Sequence, residues 1–290
     1  MKALINKAAV LIEALPYIQR FRDAIVVVKF GGSAMENPEC VESTLRDIVF
    51  MECVGMRPVI VHGGGKAISA RLNELGIASH FINGMRHTCA DTIGVVDDVL
   101  HTHVNARLVD GVRKFGGRAR DLSGKTIIMA SKLAHQDEAG ADVDLGYVGE
   151  VDEVDVAPVM EMLGRNEVPV ITPLGMGADG KPYNINADIS ACRIAAALKA
   201  RKLVFLSDVP GVLSDPSDES SLISTIAMSD MPSLVDSGVI AGGMVPKLTA
   251  ATEALKAGTN KVHLVDGRVQ HSLLLEIFTD QGVGTQILRD

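Results

Sequence analysis

The chain has 290 residues, 47% of them hydrophobic, with 28 lysines and arginines against 36 aspartates and glutamates. A formal charge of −8, aromatics at 3% and no Trp leave neither a basic stripe for a polyanion nor a base-stacking platform, so nucleic acid is not an expected partner. The length suits one large α/β domain or two lobes, and no apolar run reaches the ~18 to 20 residues that span a bilayer, so no membrane is expected either.

The first stretch, MKALINKAAVLIEALPYIQRF, is interrupted by Lys7 and Glu13, which breaks the apolar core that a signal peptide needs. Leu4, Ala8, Leu11 and Leu15 recur at helical spacing and set one apolar stripe on a helix ahead of the first strand. That stripe either packs on its own domain or grips another subunit. Cys40, Cys53, Cys89 and Cys192 are dispersed without any CxxC pair, the pattern of reduced, buried thiols in a cytosolic protein.

Six apolar runs then read as strands buried on both faces: IVVVKF (25–30), PVIVHG (58–63), KTIIMA (125–130), VPVITP (168–173), KLVFLSD (202–208) and KVHLVDG (261–267). Helical patterns lie near 38–54, 65–75, 91–115, 156–165, 187–200, 246–257 and 271–278. This alternation predicts a mostly parallel sheet covered by helices, with ligands beyond the carboxyl ends of its strands. The stretch DVDLGYVGEVDEVD (142–155) reads as a surface hairpin and SDPSDESS (214–221) as a polar loop. No repeat or composition shift marks a linker, so any division into lobes falls within one continuous sheet.

Three strand ends carry the chemical signal: VVVKFGG, VIVHGGG and FLSDVPG. Consecutive glycines at a strand-to-helix turn let backbone amides converge on an anion, and the following helix adds its positive end. Glycines also make tight turns without any ligand. Lys29, ending a central strand, is costly to desolvate unless an anion meets it, or it snorkels out at an edge. Pro246 suits a first helical turn, so Lys247 stands at a positive helix end, a placement worth about 0.3 to 1 kcal/mol against it unless an anionic ligand reverses the sign. In PYNINADISACRIAAALKA (182–200), Asn186 or Asp188 reads as a helix cap. The alternative is that Asp188 faces Lys29 and Lys247; from the residues alone the cap is favoured.

Other signals fail. The GKT of GGRARDLSGKT lacks the first P-loop glycine, because position 119 is Ala119. No GxGxxG follows a strand and no GxSxG elbow occurs. Asp97 and His101 share a helix face in DDVLHTH without a third facing ligand for a metal.

KFGGSA, VIVHGGGKAI, INGMRHT, DLGYVGEV, PYNINAD, FLSDVPGVL, GGMVPKL and HSLLLEIFTDQGVGT occur in this order along nearly the whole chain. Together they closely resemble the acetylglutamate kinases of the amino acid kinase family. That resemblance implies a three-layer αβα sandwich on a mostly parallel open sheet, preceded by an N-terminal helix. It implies an oligomerisation helix over 1–22, an acetylglutamate-binding lobe over 23–198 and an ATP lobe over 199–290. The implied reaction is phosphorylation of the side-chain carboxylate of N-acetyl-L-glutamate by ATP, with Mg2+ carried by the nucleotide and no protein metal site, in the second step of arginine synthesis. By position, Lys29 and Lys247 match the catalytic lysines and Asp188 the aspartate that orients them. Gly64, Gly65, Arg86 and Asn184 match the substrate contacts, and Gly31, Gly32, Ser207, Asp208 and Gly211 the nucleotide contacts. The N-terminal helix resembles that of arginine-inhibited members, which implies a homohexamer built as a trimer of dimers. Lys202, His271, Glu276, Gly282 and Gly284 become candidate arginine contacts. His87 departs from the usual aliphatic residue beside Arg86, and DLSGKTIIMA from the commoner wording of that strand. A sister kinase acting on acetylaminoadipate or another small carboxylate, and a catalytically silent arginine sensor, are the alternatives.

Overall fold

A computed structural model gives the fold, and it describes all residues except 83, 137–139 and 280–281, together with all side chains of those residues but 3, 7 and 33. Asn83 of INGMRHT and Asp280 and Gln281 of the C-terminal stretch therefore lie outside the described residues. The strands are β1 (Ile25–Phe30), β2 (Arg57–His62), β3 (Ala119–Leu122), β4 (Ile128–Lys132), β5 (Gly149–Val154) and β6 (Val168–Ile171). They continue as β7 (Leu174–Gly177), β8 (Pro182–Asn184), β9 (Lys202–Ser207), β10 (Thr225–Ala227), β11 (Lys261–Asp266) and β12 (Thr285–Leu288). Helices α1 (Lys2–Phe21), α2 (Pro38–Cys53), α3 (Gly65–Glu74) and α4 (Ala90–Asp98) precede a π-helical turn, Val99–Asn105, and α5 (Ala106–Lys114). Then follow α6 (Ala157–Gly164), α7 (Ala187–Ala197), α8 (Met231–Asp236), α9 (Met244–Ala257) and α10 (Ser272–Phe278).

The main sheet has eight strands in the order β10-β12-β11-β9-β1-β2-β6-β3. Only β11 and β12 pair antiparallel within it. Strand alternation divides the apolar residues between two cores, which is why the runs look continuously hydrophobic. Val27, Val59, Val61, Leu203 and Phe205 face one core, shared with α7 and α9. Val26, Val28, Phe30, Ile60 and Val204 face the other, shared with α2, α3, α5 and α10. The result is the expected αβα layering.

Three expectations change. Of the four thiols, Cys40 and Cys192 are buried, but Cys53 is exposed and Cys89 half-buried. KTIIMA does not enter the main sheet: β4 joins a second sheet, β8-β7-β4-β5, in which Ile128 and Ala130 are buried while Met129 is 54% exposed. The strand that takes its place in the main sheet is β3, with two exposed charged residues, Arg120 and Asp121, that conceal it from a search for apolar runs. The stretch 142–155 is not a hairpin on itself. Asp142–Val143 pairs with His135–Gln136, whereas Gly149–Val154 pairs with β4. For the N-terminal helix, where both readings stood open, the described side chains pack at its end: Phe21 is buried and Tyr17 meets Phe278 edge to face. Leu4 and Leu11 on its stripe are 65% and 67% exposed.

Candidate active site

Strand periodicity puts Lys29 on the same face of β1 as Val27, the face covered by α7 and α9. Its Nζ lies 2.8 Å from Asp188 Oδ1, and Lys247 Nζ lies 2.8 Å from Asp188 Oδ2. The cap of α7 is Asn186, whose side chain accepts from the amides of Asp188 and Ile189, so the Asp188 carboxylate is left to face the lysines. Burial alone would push that carboxyl up, but Lys29 and Lys247 outweigh it and hold its pKa below the usual range. Two cations share one anion, and the cluster keeps a positive charge. Lys247 sits in the first turns of α9 with its amine 5.1 Å from the centre of the Phe205 ring.

The glycines are required by contact as much as by turn shape. A Cβ on Gly31 would stand 2.7 Å from Lys29 Nζ, so the lysine amine reaches its place only because no side chain is there. The amide of Gly63 donates to Phe30 O at 2.8 Å and ties the two turns together. Gly64 caps α3, and a Cβ on it would meet Leu100 Cδ2 at 2.6 Å. Gly65 opens the helix with free space around it. A cavity of about 860 Å³ is lined by Lys29, Gly32, Gly63, Gly64, Gly65 and Lys66 among others. Lys66 and Glu36, 2.6 Å apart, join the two glycine turns across it.

An adjoining cavity of about 210 Å³ shares those three glycines and adds Arg86 and Asn184. Arg86 is buried, donating to Gly65 O at 2.8 Å, to Ser69 Oγ at 2.7 Å and to Ser79 Oγ, with its guanidinium 4.6 Å from the centre of the Phe81 ring. Among the described residues those bonds engage three of its five N–H donors. Asn184 donates to Thr88 Oγ1 at 3.2 Å, and Thr88 donates in turn to Arg86 O at 3.0 Å. The two residues are thus one connected wall.

Ser207 ends β9, one residue beyond the Leu206–Phe30 pairing, which sets the LSDVPG turn beside the first glycine turn. Asp208 is exposed, and Gly211 packs its backbone against Thr285 and Leu222. Lys202, Glu276, Gly282 and Gly284 meet elsewhere, in a cavity of about 240 Å³ that the end of α1 closes with Tyr17, Arg20 and Phe21. Glu276 Oε1 takes His263 Nδ1 at 2.6 Å, and Oε2 accepts from Val283 N at 2.8 Å and Gly284 N at 3.1 Å. His271 stands apart from that cavity. Its Nδ1 lies 2.6 Å from Asp47 Oδ1 on α2, and its amide donates to Ser43 Oγ. On the DDVLHTH face, Asp97 meets His101 at 2.9 Å and the amine of Lys125, so a lysine stands where a third metal ligand would be needed.

Sequence reading passed over His62, Lys66, Ser69, Thr88, Asn105 and His263. His62 was in plain view inside VHGGG, and His263 inside a strand core. The others carry no local signal.

The model of the amino acid kinase family matches residues 24–266. An acetylglutamate kinase from Heliobacterium modesticaldum is 48% identical over 295 residues, covering 100% of both chains. One from Geotalea uraniireducens is 47% identical, covering 99% of this chain and 100% of its own. Among solved structures, N-acetylglutamate synthase from Neisseria gonorrhoeae in complex with coenzyme A and N-acetyl-glutamate superposes with TM-score 0.84 at 26% identity. That match covers 98% of this chain and 63% of the other. Carbamate kinase from Giardia lamblia shares the fold, with TM-score 0.66 at 16% identity over 92% of this chain and 99% of that one.

Proposed function

The chain belongs to the amino acid kinase family, and from that membership we propose that it is an acetylglutamate kinase, transferring the γ-phosphoryl group of ATP to the side-chain carboxylate of N-acetyl-L-glutamate. The observation that carries the reading is Asp188 held between Lys29 and Lys247 at 2.8 Å each, beside two glycine turns at the carboxyl ends of central strands. A carboxylate nucleophile is already ionised at neutral pH and needs no general base. Its oxygen bonds to the γ-phosphorus as the bond to the β–γ bridging oxygen breaks, and the products are the acyl phosphate and ADP. Phosphoryl transfer then asks for alignment and charge stabilisation.

In this reading Lys29 and Lys247 neutralise the charge that spreads over the transferring group, and Asp188 fixes their amines. Gly31, Gly32, Ser207, Asp208 and Gly211 form the nucleotide's surroundings. Gly64 and Gly65 offer amides to the substrate, Arg86 pairs with its α-carboxylate through its remaining donors, and Asn184 borders it. The fit for a triphosphate rests on the positive three-residue cluster and on the cavity of about 860 Å³ that Lys29 and the glycine turns line. Magnesium would travel on the phosphates and supply further charge neutralisation. Among the described residues no group of three or more His, Cys, Asp or Glu could hold a metal, so no side chain is assigned to it.

The lobes are proposed as 23–198 for the acetylated amino acid and 199–290 for ATP. We assign the cavity around Lys202, Glu276, Gly282 and Gly284 to arginine as an inhibitor, since it pairs a buried carboxylate with a mostly polar lining. The gonococcal synthase has also been solved with coenzyme A and L-arginine, at TM-score 0.80 and 25% identity, covering 98% of this chain and 65% of the other. The exposed stripe of α1 supports a role over 1–22 in a hexamer. The cytoplasm is the proposed compartment, in keeping with an ATP-consuming biosynthetic family and four free cysteines.

One assay tests the reading: ATP-dependent acyl phosphate trapped as hydroxamate, comparing N-acetylglutamate, glutamate, aspartate and acetylaminoadipate. N-acetylglutamate should give the highest kcat/KM. No product from it overturns the reading; preference for acetylaminoadipate moves it to a sister kinase, and arginine binding without turnover on any acceptor moves it to a silent sensor.

A further inference from the structure

His62 ends β2 immediately before the Gly63–Gly65 turn, and its ring is fully buried. Its Nδ1 lies 3.0 Å from Gly63 O, and its Nε2 lies 3.2 Å from Asn105 Nδ2. Asn105, also fully buried, donates from the same Nδ2 to Val170 O at 2.8 Å. These contacts admit one arrangement of protons. A carbonyl only accepts, so Nδ1 carries the ring proton and donates to Gly63 O. Val170 O takes one amide hydrogen of Asn105, and the other meets the lone pair of Nε2. Among the described residues Asn105 Oδ1 has no hydrogen-bond partner, and reversing the amide would set that oxygen against the Val170 carbonyl. Burial pushes the His62 pKa down to about 4, helped by His101, while the Gly63 carbonyl acts the other way. The ring is therefore neutral at the pH where a carboxylate acceptor is ionised, and the relay is complete only in that form.

The relay has a consequence at the turn. The Gly63–Gly64 peptide is trans, so the Gly64 N–H points opposite to the Gly63 carbonyl. His62 holds that carbonyl, and with it fixes the direction of the Gly64 N–H, at a glycine that lines both cavities. The N–H of Gly63 itself is committed to Phe30 O. The π-helical turn supplies the backing. Its last residue is Asn105, and its Leu100 and Val104 lie 2.6 and 3.5 Å from where a Gly64 Cβ would be. One residue more per turn re-phases the helix so that Leu100 and Val104 back Gly64 and Asn105 reaches His62, while Leu108 and Val109 of α5 stay in the core.

We propose that His62 and Asn105 are positioning residues for phosphoryl transfer, acting through Gly63 to aim the Gly64 N–H at the anionic oxygens that react. The proposal rests on the kinase reading above, but part of its test does not. In the unaltered enzyme, nitrogen NMR of selectively labelled histidine should find Nδ1 protonated and Nε2 bare at His62 from pH 6 to 9. The opposite tautomer, or a titration in that range, overturns the relay.

Two variants separate positioning from packing. His62→Asn places an amide near the Nδ1 position, where it can still donate to Gly63 O, whereas His62→Gln places it near Nε2 and leaves that carbonyl unpaired. The Asn variant should hold kcat within about fivefold of the parent, and the Gln variant should lose about 30-fold or more, with ATP dissociation changing less than about threefold in either. The amide resonance of Gly64 should move in the Gln variant and stay near its parent position in the Asn variant. Equal losses of kcat that track equal losses of melting temperature would reduce His62 to a core residue and overturn the proposal. Absence of acyl phosphate from the unaltered enzyme would remove the kinase reading, while the histidine and Gly64 resonances would still decide whether the relay exists.

Discussion

Two buried lysines, Lys29 and Lys202, each lie close to a carboxyl residue, Asp188 and Glu276, and their surroundings make them different instruments. At the β1 end, the Asp188 carboxylate meets two lysine amines among the described residues, Lys29 on one oxygen and Lys247 on the other, each at 2.8 Å. At the C-terminal cavity, the Glu276 carboxylate is already taken by His263 and by the amides of Val283 and Gly284. Among the described residues, Lys202 donates to the backbone carbonyl of Glu276, at 3.4 Å, with the centre of the Phe21 ring 5.0 Å away. Burial, only partly offset by the Glu276 charge, pushes its pKa down to about 8. A lysine beside an acid is a poised charge or a burdened one according to what else occupies the carboxylate.

The largest expected effect would break the first half of that contrast. Lys29→Ala should lower turnover by about 10² to 10³, with ATP affinity changing only a few-fold, as removal of a donor aimed at developing charge does. Rapid-quench turnover beside equilibrium ATP binding checks it; equal losses in both would leave Lys29 as a ground-state contact. At the other carboxylate, Glu276→Gln removes the charged acceptor of His263 and two amides. That should cost about 2 to 3 kcal/mol of stability in denaturant unfolding and abolish the arginine response. Retained inhibition by arginine would take Glu276 out of the effector site.

Lys202→Met sharpens the comparison through pH. The folded pKa is lowered, so between about pH 8 and the ordinary lysine value of 10.5 the unfolded chain binds more protons and stability rises with pH. Below that window the penalty is fully present. The variant should therefore be more stable than the parent at pH 7, on the order of 1 kcal/mol once the lost Phe21 contact is set against it, and the gap should close as pH approaches 10. Calorimetric melting across pH tests this, and a gap that does not vary with pH contradicts it. The smallest effect on chemistry belongs to α1. Deleting residues 1–16 removes Leu4 and Leu11 yet keeps Tyr17, Arg20 and Phe21 at the cavity, so light scattering should find a smaller assembly with turnover little altered. An unchanged hexamer would end the proposed role of the stripe.

Much of this architecture is legible along the chain because its strands are buried on both faces and its turns are glycines. IVVVKF, PVIVHG and KLVFLSD occupy the middle of the sheet where continuous β-branched runs belong. Strand β3 escaped because Arg120 and Asp121 are exposed near the sheet edge, and β4 was misplaced because an apolar run does not say which sheet will bury it. The π-helical turn inside 91–115 has no periodic signature, since seven residues cannot distinguish it from α-helix. His271 illustrates the same limit: its neighbours in sequence line the C-terminal cavity, but a left-handed backbone at φ 58 turns it toward Asp47.

The sequence by itself determined the parallel α/β sheet, the glycine turns at the ends of β1 and β2, and the presence of lysines that are costly without an anion. Those are properties of short stretches, set by side-chain period and backbone freedom. Only the tertiary structure decided that Asn186 caps α7 and releases Asp188, that Asp188 bridges Lys29 and Lys247, and that Asn105 reaches His62 behind the glycines. Each of those contacts joins elements far apart in the chain. Their geometry depends on how helices lie across a twisted sheet, which no local pattern encodes.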